Sequence, residues 1–159
     1  MTNTTQLAVK SAVDAWHGQV KNADGILDKL TDEQLMKEIA PGKNRGVYIL
    51  GHLTAVHDRM LALLNLDKQQ YPQLDEPFLT KPDKAVAEIP SASELRTYWK
   101  NVNTKLATHF NNLPAEGWFE KHNSVSVEDF AKEPHRNRLN VLLSRTGHLA
   151  YHVGQLRLL

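Results

Sequence analysis

The stretch Gly147-His148-Leu149-Ala150-Tyr151-His152-Val153-Gly154-Gln155 decides how this chain is read. Leu149 and Val153 continue a series, Leu139, Leu142, Thr146, Leu149, Val153 and Leu156, whose spacings alternate between three and four. That spacing lines one face of an α-helix, which is predicted to start near Asn137. On it His148 and His152 stand four apart, about one turn, so both imidazoles leave the same face and can share a metal ion. They flank the apolar stripe, which places them at the inner edge of a helical bundle rather than in open water.

Working back along the chain, three more helices are predicted. Val9, Val13, Trp16, Val20, Ala23, Leu27 and Leu30 form the stripe of the first. Gly18 and Gly25 each cost about 1 kcal/mol inside it, so a break near Gly25 is allowed for. Thr31-Asp32-Glu33-Gln34 has the form of a capping box for a short extra turn, which Pro41-Gly42 stops. The second long helix is predicted to start after Asn44 as N-cap and to run to about Leu66, with Ile49, Leu53, Val56, Met60 and Leu63 inward. From Asp67 to Pro90 the chain is polar and carries Pro72, Pro77, Pro82 and Pro90, so an extended loop is expected. So long a connection suits one that crosses the bundle between helices that are not antiparallel neighbours. Ser91-Ala92-Ser93-Glu94 is a second capping box and opens a third helix with Leu95, Tyr98, Trp99, Val102, Leu106 and Phe110 inward. Residues 115–137 are mixed, with Trp118, Phe119 and Phe130 expected as packing anchors. The expectation is an all-α, four-helix bundle with long connections, one domain over residues 1–159.

Composition narrows the function. The 159 residues are 41% hydrophobic and 23% charged, with a net charge of +1, so no global field draws the chain to nucleic acid or an anionic membrane. No apolar run approaches the ~20 residues of a membrane span. The opening Met1-Thr2-Asn3-Thr4-Thr5 has neither the basic nor the apolar region of a signal peptide, and a cytoplasmic protein is expected. The absence of cysteine removes disulfides, thiolate metal sites and cysteine nucleophiles. His-Glu-x-x-His, Gly-x-Ser-x-Gly and phosphate-binding glycine loops are also missing. Eight histidines are the chemical resource that is left.

A third ligand beside His148 and His152 has to come from another helix. His52 follows Ile49 by three and precedes Val56 by four, so it borders the buried stripe of the second helix. His57, five residues on, is rotated by about 140° and cannot serve the same site; it is expected to be a partly exposed structural histidine. His17 borders the stripe of the first helix and is a candidate to stand behind the ligands, as are Arg145, Tyr151 and Gln155 on or near the histidine face of the last helix. Asp14-x-x-His17 is half of a di-iron carboxylate motif whose second half is missing. His109 is expected at the core edge, and His122 and His135 in solvated loop. Gly147 and Gly154, seven apart, either admit a close neighbouring helix or relieve crowding around the histidines.

Gly51-His52-Leu53 near a helix start, a long connection, and His148-x-x-x-His152-x-Gly154-Gln155 near the C-terminus together resemble the DinB-like (YfiT-type) superfamily. The resemblance covers nearly the whole chain and includes Leu30-Thr31-Asp32-Glu33-Gln34-Leu35. It implies a bundle of up-down-down-up order, a divalent metal held by His52, His148 and His152, and a homodimer. Members of the superfamily include thiol S-transferases, whose metal activates the thiol of a low-molecular-weight cofactor such as bacillithiol or mycothiol, and hydrolases.

Three neutral imidazoles leave an ion its full +2 charge and an open coordination position, the pattern of a catalytic zinc site. Zinc is the default; nickel, iron and manganese also accept imidazole. The expected function is therefore a metal-dependent enzyme acting on a small molecule, of thiol S-transferase type or a hydrolase. The alternative is a non-catalytic bundle in which the ion only ties two helices together.

Overall fold

The computed structural model describes residues 3–159 and is helical throughout its main elements. Helix α1 covers Thr4–Leu27, α2 Asp32–Leu35, α3 Gly46–Leu63, α4 Ala92–Asn112, α5 Val127–Lys132 and α6 Arg138–Leu156. The long helices α1, α3, α4 and α6 form the bundle. Local chemistry starts α2, α4 and α6 as the sequence implies. Thr31 and Ser91 each accept the N3 backbone N–H, and Gln34 and Glu94 reach back to the N-cap N–H, completing both capping boxes. Asn137 caps α6 through the Asn140 N–H.

Helix directions follow from which ends meet. Arg96, in the first turns of α4, donates to the carbonyls of Leu27, the last residue of α1, and of Leu30 just beyond it. Gly46, which opens α3, lies against the side chains of Leu35 and the C-terminal Leu159. At the other end, Arg138 of α6 donates to the Leu64 carbonyl beyond α3 at 2.8 Å, and Lys105 of α4 pairs with Asp67 at 2.7 Å. Helices α1 and α6 therefore run one way and α3 and α4 the other, the up-down-down-up order. Helix α1 packs mainly on α6, and α3 mainly on α4.

Because α3 and α4 start at the same end, the chain must return along the full length of α3, about 27 Å at 1.5 Å per residue. That return is more ordered than its prolines suggested. Short helical turns form at Pro72–Leu74 and Glu76–Thr80, each with proline in its first positions, where no N–H is needed. Leu74 and Phe78 are fully buried in the core. Asp58, fully buried on α3, accepts the backbone N–H groups of Gln70 at 2.8 Å and Tyr71 at 2.7 Å. Burial pushes its carboxyl up, against the pull of those two hydrogen bonds. Further on, Arg45 grips Asp83 at 2.7 Å between two largely buried side chains. Burial opposes the Asp83 charge, and the Arg45 hydrogen bonds overcome it and hold its carboxyl below the usual range.

Other expectations shift by a few residues. Helix α1 continues through Gly25 without a break. Arg45, not Asn44, is the N-cap of α3, without a side-chain cap; its own backbone N–H is taken by Asp83. Helix α3 ends at Leu63, and Asn65, at φ 54°, turns the chain away. In the 115–137 stretch Trp118 is buried as expected, whereas Phe119 is exposed and Phe130 half-buried on α5. No helix among the described residues is long and apolar enough to cross a membrane.

The Asp58 clamp yields a direct test. Asp58→Ala leaves two backbone donors without their acceptor and should cost about 2–4 kcal/mol in denaturant unfolding, with Asp58→Asn recovering part of it. A loss below about 0.5 kcal/mol would show that the return segment is held by its apolar anchors alone.

Candidate metal centre

The centre is built from α3 and α6. His52 rides on α3 next to Gly51, and the reason for that glycine lies in the return segment. A Cβ on Gly51 would come within 2.3–2.5 Å of the Phe78 ring, so only glycine lets this ring pack so closely on the helix. The docked residue turns its carbonyl toward His52, whose Nδ1 donates to Phe78 O at 2.9 Å. A carbonyl only accepts, so Nδ1 carries the proton and Nε2 presents a lone pair.

On α6 the same logic fixes His152. Gln155 donates its amide N–H to the Tyr151 hydroxyl at 3.2 Å, which leaves its oxygen facing His152 Nδ1 at 2.6 Å. His152 Nε2 is thus also a bare lone pair. His148 Nε2 lies 3.1 Å from His52 Nε2 and 3.2 Å from His152 Nε2. A tetrahedral ion with metal–nitrogen bonds of 2.0–2.1 Å sets its ligand atoms about 3.3 Å apart, so these spacings fit three corners of one. Without a cation at most one of the two contacts can be a hydrogen bond, because His148 Nε2 has a single proton to offer. The residues present therefore fit a divalent ion. Among the described residues no other group of three histidines or carboxylates comes together this closely, and no carboxylate joins this one.

Electrostatics prepare the rings for ligation. Burial, then the positive charges that His152, His52 and Arg145 would bring, lower the His148 pKa to about 4. Burial likewise lowers that of His152, against the Gln155 hydrogen bond. Both are neutral at physiological pH, as a metal ligand must be. Beside them a small cleft of about 160 Å³ opens, lined by Asn44, Tyr48, Ile49, His52 and His152. The Tyr48 ring lies nearly parallel to that of His52, 14° apart, and its hydroxyl donates to the Lys81 carbonyl at 2.8 Å. Burial and then Asp83 raise its pKa, so it stays a phenol.

The structure thus brings His52, His148 and His152 together, with Gln155 directly behind His152 and Tyr151 exposed at the rim. Arg145 sits three residues before His148, half-buried, where burial lowers its pKa. His17 is elsewhere: it lines a groove of about 550 Å³ between α1 and α4 together with Trp16, Asp24, Trp99 and Lys100. His109 lies 3.7 Å from Asp67 near the far end of α4. His57 is not partly exposed but fully buried, its ring between those of Trp16 and Trp99 at 4.5 and 4.8 Å. The 140° rotation from His52 turns it into the bundle, not out of it. Gly147 and Gly154 have nothing within 4 Å of a built Cβ, so neither serves a close approach within the chain.

The sequence matches the DinB superfamily over residues 15–156. The chain belongs to the DinB superfamily. A conserved protein from Enterococcus faecalis, seen in a crystal structure, shares the fold: TM-score 0.63 at 16% identity, over 99% of this chain and 95% of that one. No curated protein matches the sequence. In this DinB-superfamily chain, no motif or ligand-type spacing marks Phe78 or Tyr48 as part of the centre. The glycine immediately before His52 was the available signal for Phe78, since a buried mid-helix glycine marks a close approach.

That contact can be tested. Gly51→Ala should push the Phe78 ring off α3, cost about 1–3 kcal/mol of stability, and weaken divalent-ion binding at least about tenfold through loss of the His52 hydrogen bond. Unchanged ion affinity in a folded Gly51→Ala protein would separate Phe78 from the centre.

Proposed function

We infer that this protein is a metal-dependent enzyme acting on a small molecule, of thiol S-transferase type, with His52, His148 and His152 as the ligands of one divalent ion. The observation that carries the reading is the convergence of three imidazole Nε2 atoms without any carboxylate. A closed structural site would need a fourth protein ligand. A divalent ion bound there, zinc in the first instance, would supply Lewis acidity that lowers the pKa of a thiol or water taken up beside it.

The chain's own residues supply the rest. Phe78 O and Gln155 Oε1 hold the His52 and His152 rings in register. Neutral imidazoles add no negative charge, so an anionic thiolate is favoured over a neutral ligand. Asn44 and Tyr48 line the approach, and Tyr48, locked to the Lys81 carbonyl, offers a ring face rather than a base. A low-molecular-weight thiol is accordingly the proposed co-substrate, and hydrolysis the neighbouring alternative on the same site.

The size of the cleft favours a second reading. At about 160 Å³ it is smaller than the ~300–1,000 Å³ usual for small-molecule sites, which suits an ion that merely ties α3 to α6. Cobalt substitution separates the two. The enzymatic reading expects one cobalt per chain, lost in His52→Ala, His148→Ala and His152→Ala, with a visible spectrum that changes when a small thiol or azide competes for one position. A four-coordinate spectrum indifferent to millimolar thiol and azide would leave only the structural tie.

A further inference from the structure

Two of the three clustered histidines have a partner for Nδ1, and His148 has none: its Nδ1 is buried without a hydrogen bond. Only two other side-chain atoms among the described residues share that condition, His57 Nε2 and Arg145 Nε. Their hydrogen-bonding characters are complementary. Asn103 donates its amide N–H to the Trp99 carbonyl at 2.8 Å, so its oxygen faces His57 Nδ1, also at 2.8 Å. His57 Nδ1 must then be the protonated nitrogen, and Nε2 is an acceptor. Arg145 Nε–H can only donate. His148, with Nε2 committed to an ion, carries its proton on Nδ1 and also donates. The set is one acceptor and two donors, all out of reach of bulk water.

His57 stands on α3 and His148 and Arg145 on α6, two helices that pack together, and the charges of His148 and Arg145 both act on the His57 ring. Arg145 and His148 are three residues apart on α6 and so share a face. His57 comes from α3 and is fully buried between Trp16 of α1 and Trp99 of α4. Burial first, and then the nearby charges of His148, Arg145 and His52, lower its pKa to about 3, partly offset by the Asn103 hydrogen bond. The ring is therefore neutral, and His148 and Arg145 are its electrostatic neighbours. No direct hydrogen bond joins the three atoms, and a small polar molecule between them would complete the hydrogen-bond accounting. Water, accepting two bonds and donating one or two, satisfies all three at once.

We propose that one buried water joins His57 Nε2, His148 Nδ1 and Arg145 Nε, and that through it His57 acts as a positioning residue for the His148 ring. This rests on the metal-site reading for its effect on ion binding, and on hydrogen-bond accounting alone for the water. His57 does not touch the ion. The device completes a pattern in which every ligand ring is fixed from behind, by a carbonyl for His52, an amide oxygen for His152 and a water for His148.

A crystal structure of the zinc-loaded full chain at about 1.5 Å should show a water within about 3.2 Å of all three atoms. Zinc titrations against a competing chelator should find His57→Phe, which keeps the ring stacking, weakened about 10- to 100-fold. His57→Gln, whose amide oxygen can accept from the water, should recover most of that loss. Melting of the metal-free variants separates this effect from general destabilisation, which would lower both alike. Should the density show no water in contact with the three atoms, or should folded His57→Phe bind zinc as tightly as the wild type, the proposal is overturned. Wild-type protein that binds no zinc would sink the metal reading instead, while the density would still decide the water.

Discussion

The contact of the Phe78 ring with the bare Cα of Gly51 is the constraint on which both fold and centre depend. Parallel α3 and α4 oblige the chain to travel back along the bundle, and such a segment would ordinarily lie loose on the surface. Here it is drawn inward by Leu74 and Phe78, each fully buried, at about 1.5–3 kcal/mol for such a side chain. Docking Phe78 places its carbonyl behind His52, so the residue that fastens the connection also sets the tautomer of a ligand. Fold closure and the chemistry of the site are one event.

The centre itself is a compromise between packing and electrostatics. Three imidazole nitrogens are turned toward one point, two of them with their protons held on the far side. Their lone pairs repel, and burial removes the water that would soften that repulsion. Protonation cannot relieve it, because burial and mutual charge hold the His148 pKa near 4. A divalent cation would satisfy all three nitrogens at once, which a single shared proton cannot do, so the cluster is fitted to hold one.

Much of this was legible in the sequence because it is periodic or local. The alternating three-and-four stripes placed α1, α3, α4 and α6, and the Thr31 and Ser91 boxes marked two starts to the residue. His148 and His152 could be paired by spacing alone, since one helix carries both. The errors fall where a distant residue decides a local outcome. Arg45 displaced Asn44 at the start of α3 because Asp83, 38 residues on, holds its N–H. The prolines of the return segment read as loop, yet Pro72 and Pro77 sit in the first positions of short turns where the missing N–H costs nothing; Pro82 and Pro90 do lie in loop. His57 reads as partly exposed when its helix is taken alone. In the bundle both sides of α3 are covered, and Trp16 and Trp99 close over the ring.

The central claim is that His52, His148 and His152 hold a single divalent ion with a position left for an exchangeable ligand. X-ray absorption at the zinc edge of the zinc-loaded full chain measures this most directly. The account predicts three imidazole nitrogens at about 2.0–2.1 Å and one further light ligand that is replaced by sulfur at about 2.3 Å when a small thiol is added. A shell containing fewer than three imidazoles, or one that the thiol leaves unchanged, would contradict it.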